Sequence, residues 1–185
     1  MRIRLRPAYS PEELTALYPQ PHNHTRWPDH LARVQETIRV ALDLYQSPGG
    51  IIADLSCGDA TIPRAVASER DAELILGDFA PGYEITGPVE QTITRVPRAD
   101  LFICGETIEH LDDPDTVLKQ VRERAARLVL STPLGETTPA NPEHYWGWDK
   151  EGVADMLAAA GWHPGIYRDL QCPAQGAAYQ IWGCT

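Results

Sequence analysis

The sequence predicts an α/β fold built on a mostly parallel sheet. Three observations carry that prediction. Apolar runs at Ile51 to Leu55, Glu73 to Phe79, Leu101 to Cys104 and Leu128 to Thr132 suit buried strands. Segments of helical periodicity lie between them, and strand and helix alternate along the chain. No internal repeat or low-complexity stretch interrupts the alternation. At 185 residues, 43% apolar and 23% charged, the chain is expected to form one globular unit with a proper core. No run approaches the ~20 apolar residues of a membrane span. The net charge of −10 disfavours long nucleic acid as a partner, because such binders displace counterions with basic surface.

Taken in order, Met1 to Pro7 alternates basic and apolar residues and lacks the apolar region of a signal peptide. Ser10-Pro11-Glu12-Glu13 is a capping-box pattern with proline at the first helical position, predicting a short helix to Leu17. His22, His24 and His30 share the next loop, but their spacing is loose and no Cys or Glu joins them, so a polar lid is expected rather than a metal site. Residues 1–30 therefore read as an N-terminal cap and 31–185 as the main domain. Leu31, Val34, Ile38, Ala41, Leu42 and Tyr45 recur at helical spacing, and Ser47-Pro48-Gly49-Gly50 ends that helix. Strand Ile51 to Leu55, the turn Ser56 to Asp59 and a helix from Thr61 follow. After the next strand only a few residues precede Tyr83 to Thr86, too few for a helical crossover. Either that helix is missing or Tyr83 to Thr86 is no parallel strand. Strand Leu101 to Cys104, a helix opened by Asp112-Asp113-Pro114, strand Leu128 to Thr132, a helix from Trp148 to Gly161, and two strands near Ile166 to Leu170 and Ala178 to Trp182 complete the chain. Cys57, Cys104, Cys172 and Cys184 are widely spaced, which predicts reduced, mostly buried thiols and a cytoplasmic setting.

The turn after Leu55 opens at the carboxyl edge of the sheet, where α/β proteins bind ligands. A dinucleotide would need glycine at three points there; only Gly58 is present. Asp59 adds a carboxylate that repels a pyrophosphate and tolerates a cation. S-adenosylmethionine carries a sulfonium, an ammonium and a carboxylate, and no phosphate. Asp78 ends the second strand about twenty residues past the glycine turn, the place from which a carboxylate grips ribose hydroxyls. Phe79 is positioned to flank the adenine.

These residues resemble the class I S-adenosylmethionine-dependent methyltransferases, whose first motif ends a strand in Asp and continues Cys-Gly-x-Gly. Asp54, Cys57 and Gly58 match, and Ala60 replaces the second glycine, which reads as a mild departure. The resemblance implies a Rossmann-like, mostly parallel seven-stranded sheet, trimmed near Tyr83, with helices on both faces and a C-terminal antiparallel hairpin. It implies S-adenosylmethionine as methyl donor and S-adenosylhomocysteine as product, contacting Asp54, Ser56, Cys57, Gly58, Asp78, Phe79 and Gly105. Gly87 stands where such enzymes place an acid-bearing loop near adenine. Arg33 and Arg26 are the candidates for the donor's carboxylate, since related enzymes carry an arginine on the preceding helix.

Strand Leu101 to Cys104 delivers Gly105-Glu106-Thr107-Ile108-Glu109-His110-Leu111 to the same edge. His110 is placed to act as a base, or Glu106, Glu109 and His110 to hold a divalent metal (Mg, Mn or Zn) that acidifies a hydroxyl. Glu-x-x-Glu-His followed by a later His near Trp resembles the small-RNA 3′-terminal 2′-O-methyltransferases, which implies Glu106, Glu109, His110 and His144 as metal ligands with Trp148 as the aromatic. Ubiquinone-type and small-metabolite O-methyltransferases share Glu-x-x-Glu-His-Leu. Tyr145, Trp146 and Trp148 are expected to wall the acceptor or to pack as a lid. The reading that results is methyl transfer to a small polar acceptor through oxygen. Its alternatives are a metal-dependent RNA ribose methyltransferase and a non-catalytic subunit that binds the donor.

Overall fold

The computed structural model describes residues 1–138 and 141–185. Its main body is a seven-stranded sheet of β2 (Ile51–Asp54), β3 (Glu73–Asp78), β4 (Ile85–Thr86), β5 (Leu101–Gly105), β6 (Leu128–Pro133), β8 (Pro164–Cys172) and β9 (Ala177–Cys184), ordered β4-β3-β2-β5-β6-β9-β8. β4 to β6 of that order run parallel, and β9 is antiparallel to both its neighbours. Helices α2 (Pro28–Leu44) and α3 (Thr61–Arg70) cover one face. Helices α4 (Val89–Thr92), α5 (Pro114–Arg124) and α6 (Lys150–Ala159) cover the other. Alternation along the strands sorts the core: Ile52, Leu101, Ile103 and Val129 face α2 and α3, while Ala53, Phe102, Leu128 and Leu130 face α5 and α6. Each such buried Ile, Leu or Phe contributes about 1.5–3 kcal/mol. The order reverses between β2 and β5, so both strands release their chains into one crevice.

The crossover before β4 resolves in favour of a missing helix. Phe79 to Glu84 turns back directly, and Ile85 and Thr86 pair parallel to Gly77 and Asp78. Gly77 permits this, because a Cβ there would stand 2.8 Å from the Ile85 carbonyl oxygen. All four cysteines are free and buried. No helix among the described residues is long and apolar enough to cross a membrane.

The basic start also has a place that its alternation alone did not indicate. β1 (Arg2–Arg4) pairs antiparallel with β7 (Trp146–Trp148) in a separate two-stranded sheet. Arg2 lies 4.2 Å from the Trp146 ring, which stacks on Trp148 at 6.2 Å, and Arg2 and Arg4 pair with Asp115 and Asp112. Trp148 is fully buried in the α5/α6 core, and neither tryptophan lines the cavity described below. Of the three aromatics expected to wall the acceptor or to pack as a lid, only Tyr145 lines that cavity, because residues two apart on a strand share a face and the face of Trp146 and Trp148 turns inward.

Candidate active site

The turn between β2 and α3 is pinned from behind by its acids. Asp54, 3% exposed, accepts the Ser56 amide at 3.0 Å, and burial pushes its pKa up to about 8. Asp78 accepts the Gly58 amide at 2.8 Å and the Ala80 amide at 2.9 Å, and burial raises its pKa. Asp59 accepts the amides of His24 and Thr61 at 3.2 and 3.1 Å, so it braces the turn and the segment above it. Ala60 has φ +60°, beside Gly58 at +54°. That overturns the reading of Ala60 as a mild departure: the position is left-handed and disfavours any side chain.

A cavity of about 790 Å³ opens above this turn, within the range of small-molecule sites. Arg33, Ser56, Gly58, Asp78, Phe79, Glu106, His110 and His144 line it, whereas Asp54, Cys57, Gly105 and Glu109 lie behind its wall. The N-terminal segment forms one side. A Cβ at Gly58 would overlap His24 Nε2 and stand 2.6 Å from the His22 carbonyl, so the histidine loop rests directly on the glycine. Arg33 is fully buried on α2 and donates to His24 Nδ1 at 3.1 Å and Ser131 Oγ at 3.4 Å. Its Nε has no hydrogen-bond partner and lies 3.9 Å from Glu106. Burial and the Arg33 charge pull the His24 pKa down to about 3, leaving a neutral ring that accepts. Arg26 instead rests on Trp27, outside the cavity.

The other end of the cavity holds the acid and imidazole groups of the β5 exit. Glu106 has φ +51° and accepts from Ser131 Oγ at 3.2 Å. A non-glycine residue held there costs roughly 1–3 kcal/mol, and such strain clusters at functional sites. Glu109 is fully buried; one oxygen accepts from Thr132 Oγ1 at 3.0 Å and the other has no partner. Burial, with the nearby Glu106 charge, raises its pKa. His110 Nδ1 donates to the Glu143 carbonyl at 3.0 Å, which leaves Nε2 as a lone-pair donor 3.9 Å from Glu109. Burial and His144 lower the His110 pKa to about 3, which suits a neutral ligand better than a base working near neutral pH.

His144 donates from Nδ1 to Glu136 at 2.6 Å. Burial pulls its pKa down, but the Glu136 hydrogen bond and surrounding carboxylates outweigh this and raise it. Glu109, His110 and His144 each offer a ligand atom within 4.8 Å of the others. The unpartnered Glu109 oxygen fits a cation there. Glu106 stands outside that group, on the Arg33 and Ser131 side.

Glu136, Tyr18 and Glu143 were not singled out by sequence reasoning. Tyr18 packs edge-on to Phe79 at 5.8 Å and donates to Glu143 at 3.0 Å, so it bridges the two halves of the cavity. Glu90, just past Gly87, lines the cavity. A carboxylate beyond Gly87 thus reaches the loop where the glycine left none.

No family model and no curated protein sequence matches the chain. Solved structures do. A 1,6-didemethyltoxoflavin N1-methyltransferase of Burkholderia thailandensis, with S-adenosylhomocysteine bound, matches at TM-score 0.68 and 16% identity over 97% of this chain and 91% of its own. The N-methyltransferase NodS of Bradyrhizobium japonicum, also with S-adenosylhomocysteine, matches at TM-score 0.69 and 15% identity over 86% and 88%. The [4+2]-cyclase SpnF matches at TM-score 0.74 and 11% identity over 98% and 97%. The small RNA methyltransferase HEN1 matches at TM-score 0.67 and 16% identity over 89% of this chain but only 26% of its own. With its strand order, its reversed hairpin and these likenesses together, the chain has the fold of the class I S-adenosylmethionine-dependent methyltransferases.

Proposed function

We propose that this protein transfers a methyl group from S-adenosylmethionine to an oxygen of a small polar acceptor, assisted by a divalent metal. The observation that carries this reading is the Glu109, His110 and His144 cluster: the two histidines line the cavity that Arg33 and Asp78 also line, and Glu109 stands behind its wall within reach of both. The donor supplies an electrophilic methyl on a sulfonium. Arg33, with its unpartnered Nε, receives the donor's carboxylate. Asp78 holds the ribose hydroxyls with its remaining lone pairs while its amide contacts fix the turn. Phe79 and Glu90 flank the adenine, and the 1–30 segment caps the methionine end through His22 and His24. Glu109, His110 and His144 would hold the metal, which when bound would lower the pKa of an acceptor hydroxyl so that its proton leaves to solvent as the methyl moves to oxygen and S-adenosylhomocysteine departs. His110, His144 and Tyr18, which line the cavity, hold the oxygen in line with the methyl, where such a displacement gains much of its rate.

The cavity's charge supports a small acceptor. Asp78, Glu90, Glu106, Asp112, Glu136 and Glu143 line it against Arg33 as the one Arg or Lys among the described lining residues. An RNA 3′ end is the second reading, favoured by the Glu-x-x-Glu-His pattern and opposed by those carboxylates.

The test combines S-adenosylhomocysteine calorimetry, anomalous scattering from Mn²⁺-soaked crystals and radiolabelled methyl transfer to panels of small hydroxyl compounds and RNA oligomers. Expected are donor binding, density between Glu109 and His144, and metal-stimulated transfer to a small hydroxyl compound. Arg33→Met should weaken S-adenosylhomocysteine by the ~1.5–3 kcal/mol of charged hydrogen bonds. Transfer unaffected by a chelator removes the metal, transfer to RNA alone replaces the acceptor class, and tight donor binding with no transfer anywhere favours a non-catalytic role.

A further inference from the structure

Glu136 lies beyond β6 in a stretch that no motif marks, yet its side chain is held against His144. Gly135, at φ +76°, donates its amide to the Trp148 carbonyl at 2.7 Å, and Leu134 donates to the Ala178 carbonyl at 2.8 Å. The chain is thereby clamped between β7 and β9. It can come this close only because residue 147 has no side chain. A Cβ on Gly147 would overlap the Glu136 carbonyl oxygen and stand 2.9 Å from its carbon, and these are backbone atoms that cannot swing aside. Glu136 Oε2 then accepts from His144 Nδ1 at 2.6 Å, with only 13% and 10% of the two side chains exposed. The other imidazole nitrogen faces Asn141 Nδ2 at 3.0 Å. With Nδ1 committed, Nε2 is the atom that His144 has left to offer to Glu109 and His110.

We infer that Glu136 is a positioning residue that fixes the tautomer and orientation of His144, and that Gly147 is the clearance that admits it. The consequence for metal affinity rests on the metal reading above; the tautomer assignment does not. A carboxylate behind a ligating histidine sharpens ring orientation and raises ligand basicity, and its loss costs about 10–100-fold in metal affinity. Neither residue touches acceptor or donor in this role, so Glu136 acts through His144 alone. Asn141 donates to the same lone pair and must yield it to an ion.

The experiment uses the full chain with S-adenosylhomocysteine bound. Co²⁺ affinity is read from visible absorption, and the His144 tautomer from ¹⁵N imidazole shifts without metal. Wild type should show Nδ1–H, and so should Asn141→Ala, which lacks the amide that donates to Nε2. Glu136→Ala in the Asn141→Ala background should lose that preference, and Glu136→Ala alone should weaken Co²⁺ about 10–100-fold, with Glu136→Gln intermediate because it keeps an acceptor oxygen but not the charge. Gly147→Ala should reproduce the Glu136→Ala result. S-adenosylhomocysteine affinity, unchanged in all of these, reports that each variant is folded. Should Glu136→Ala fail to fold, Glu136→Gln carries the comparison. If wild type takes up no Co²⁺, the metal reading falls by itself and the imidazole shifts decide. Retention of Nδ1–H in the double variant Glu136→Ala, Asn141→Ala overturns the inference, as does wild-type Co²⁺ affinity in Glu136→Ala.

Discussion

Ala60 shows how a single dihedral separates composition from consequence. The residue letters suggest only that a small side chain replaces glycine, whereas φ +60° places that side chain where an L-residue pays roughly 1–2 kcal/mol. Glycine would relieve that cost and lose part of the gain to the greater freedom of its unfolded chain. Ala60→Gly is therefore expected to stabilise the protein by up to about 1 kcal/mol in urea unfolding, with S-adenosylhomocysteine affinity retained. A destabilised variant would show that the methyl group of Ala60 packs usefully. Gly58→Ala should do the opposite, because its Cβ would meet the His24 ring and the His22 backbone at φ +54°. Arg33 illustrates a different gap: arginine on a helix is solvated by default, and only the fold reveals a guanidinium with no exposure and a free Nε.

At the scale of elements, what the sequence displayed was what local physics encodes. The β2 run and the α3 start at Thr61 appear where apolar periodicity sets them, and α5 starts where Asp113 caps it. β1 and β7 could not be read that way. Each is a three-residue strand whose only reason to be extended is a partner far along the chain. α1 (Pro11–Leu17) is the purest local case: its Ser10 and Glu13 form both halves of a capping box, and none of its residues is buried. Its stability thus depends on that cap more than on packing. Ser10→Ala should cost the ~1 kcal/mol typical of an N-cap, paid within α1 only. Hydrogen exchange should show faster α1 amides and unchanged β5 and β6 amides; a matching loss of global stability would mean that α1 unfolds only with the whole domain.

Across the whole molecule, the site mixes legible and illegible parts for one physical reason: residues adjacent in sequence can be read together, and residues joined by tertiary folding cannot. Glu106, Glu109 and His110 arrive on one strand end, whereas Tyr18 reaches them from the end of α1, and Glu143, with Glu136 bound to His144, from the connection between β6 and β7. The same folding buries titratable groups, and this sets the pH response. Native Asp54 has a pKa near about 8 against 3.8 unperturbed, so above roughly pH 4 the unfolded chain has released a proton that the native state still holds. Stability from this group falls as pH rises, until the native pKa is passed. His24 acts in the opposite sense: its native pKa of about 3 lies below the ordinary 6.5, so between those values the unfolded chain holds the extra proton and stability rises with pH. Burial lowers His22 and His30 in the same direction. The two effects oppose one another up to pH 6.5, beyond which the lowered histidines no longer contribute and the raised groups, His144 and the buried acids, stand alone. Thermal unfolding should therefore be nearly level from pH 5 to 6.5, then decline to about pH 8 by ~1.4 kcal/mol per pH unit for each proton that the native state retains. Asp54→Asn, which keeps the shape without the charge, should flatten much of that decline. Wild-type stability that climbs between pH 6.5 and 8, or an Asp54→Asn curve with the full wild-type slope, would show that Asp54 is ionised in its pocket and that the turn cradling Gly58 carries a negative charge there.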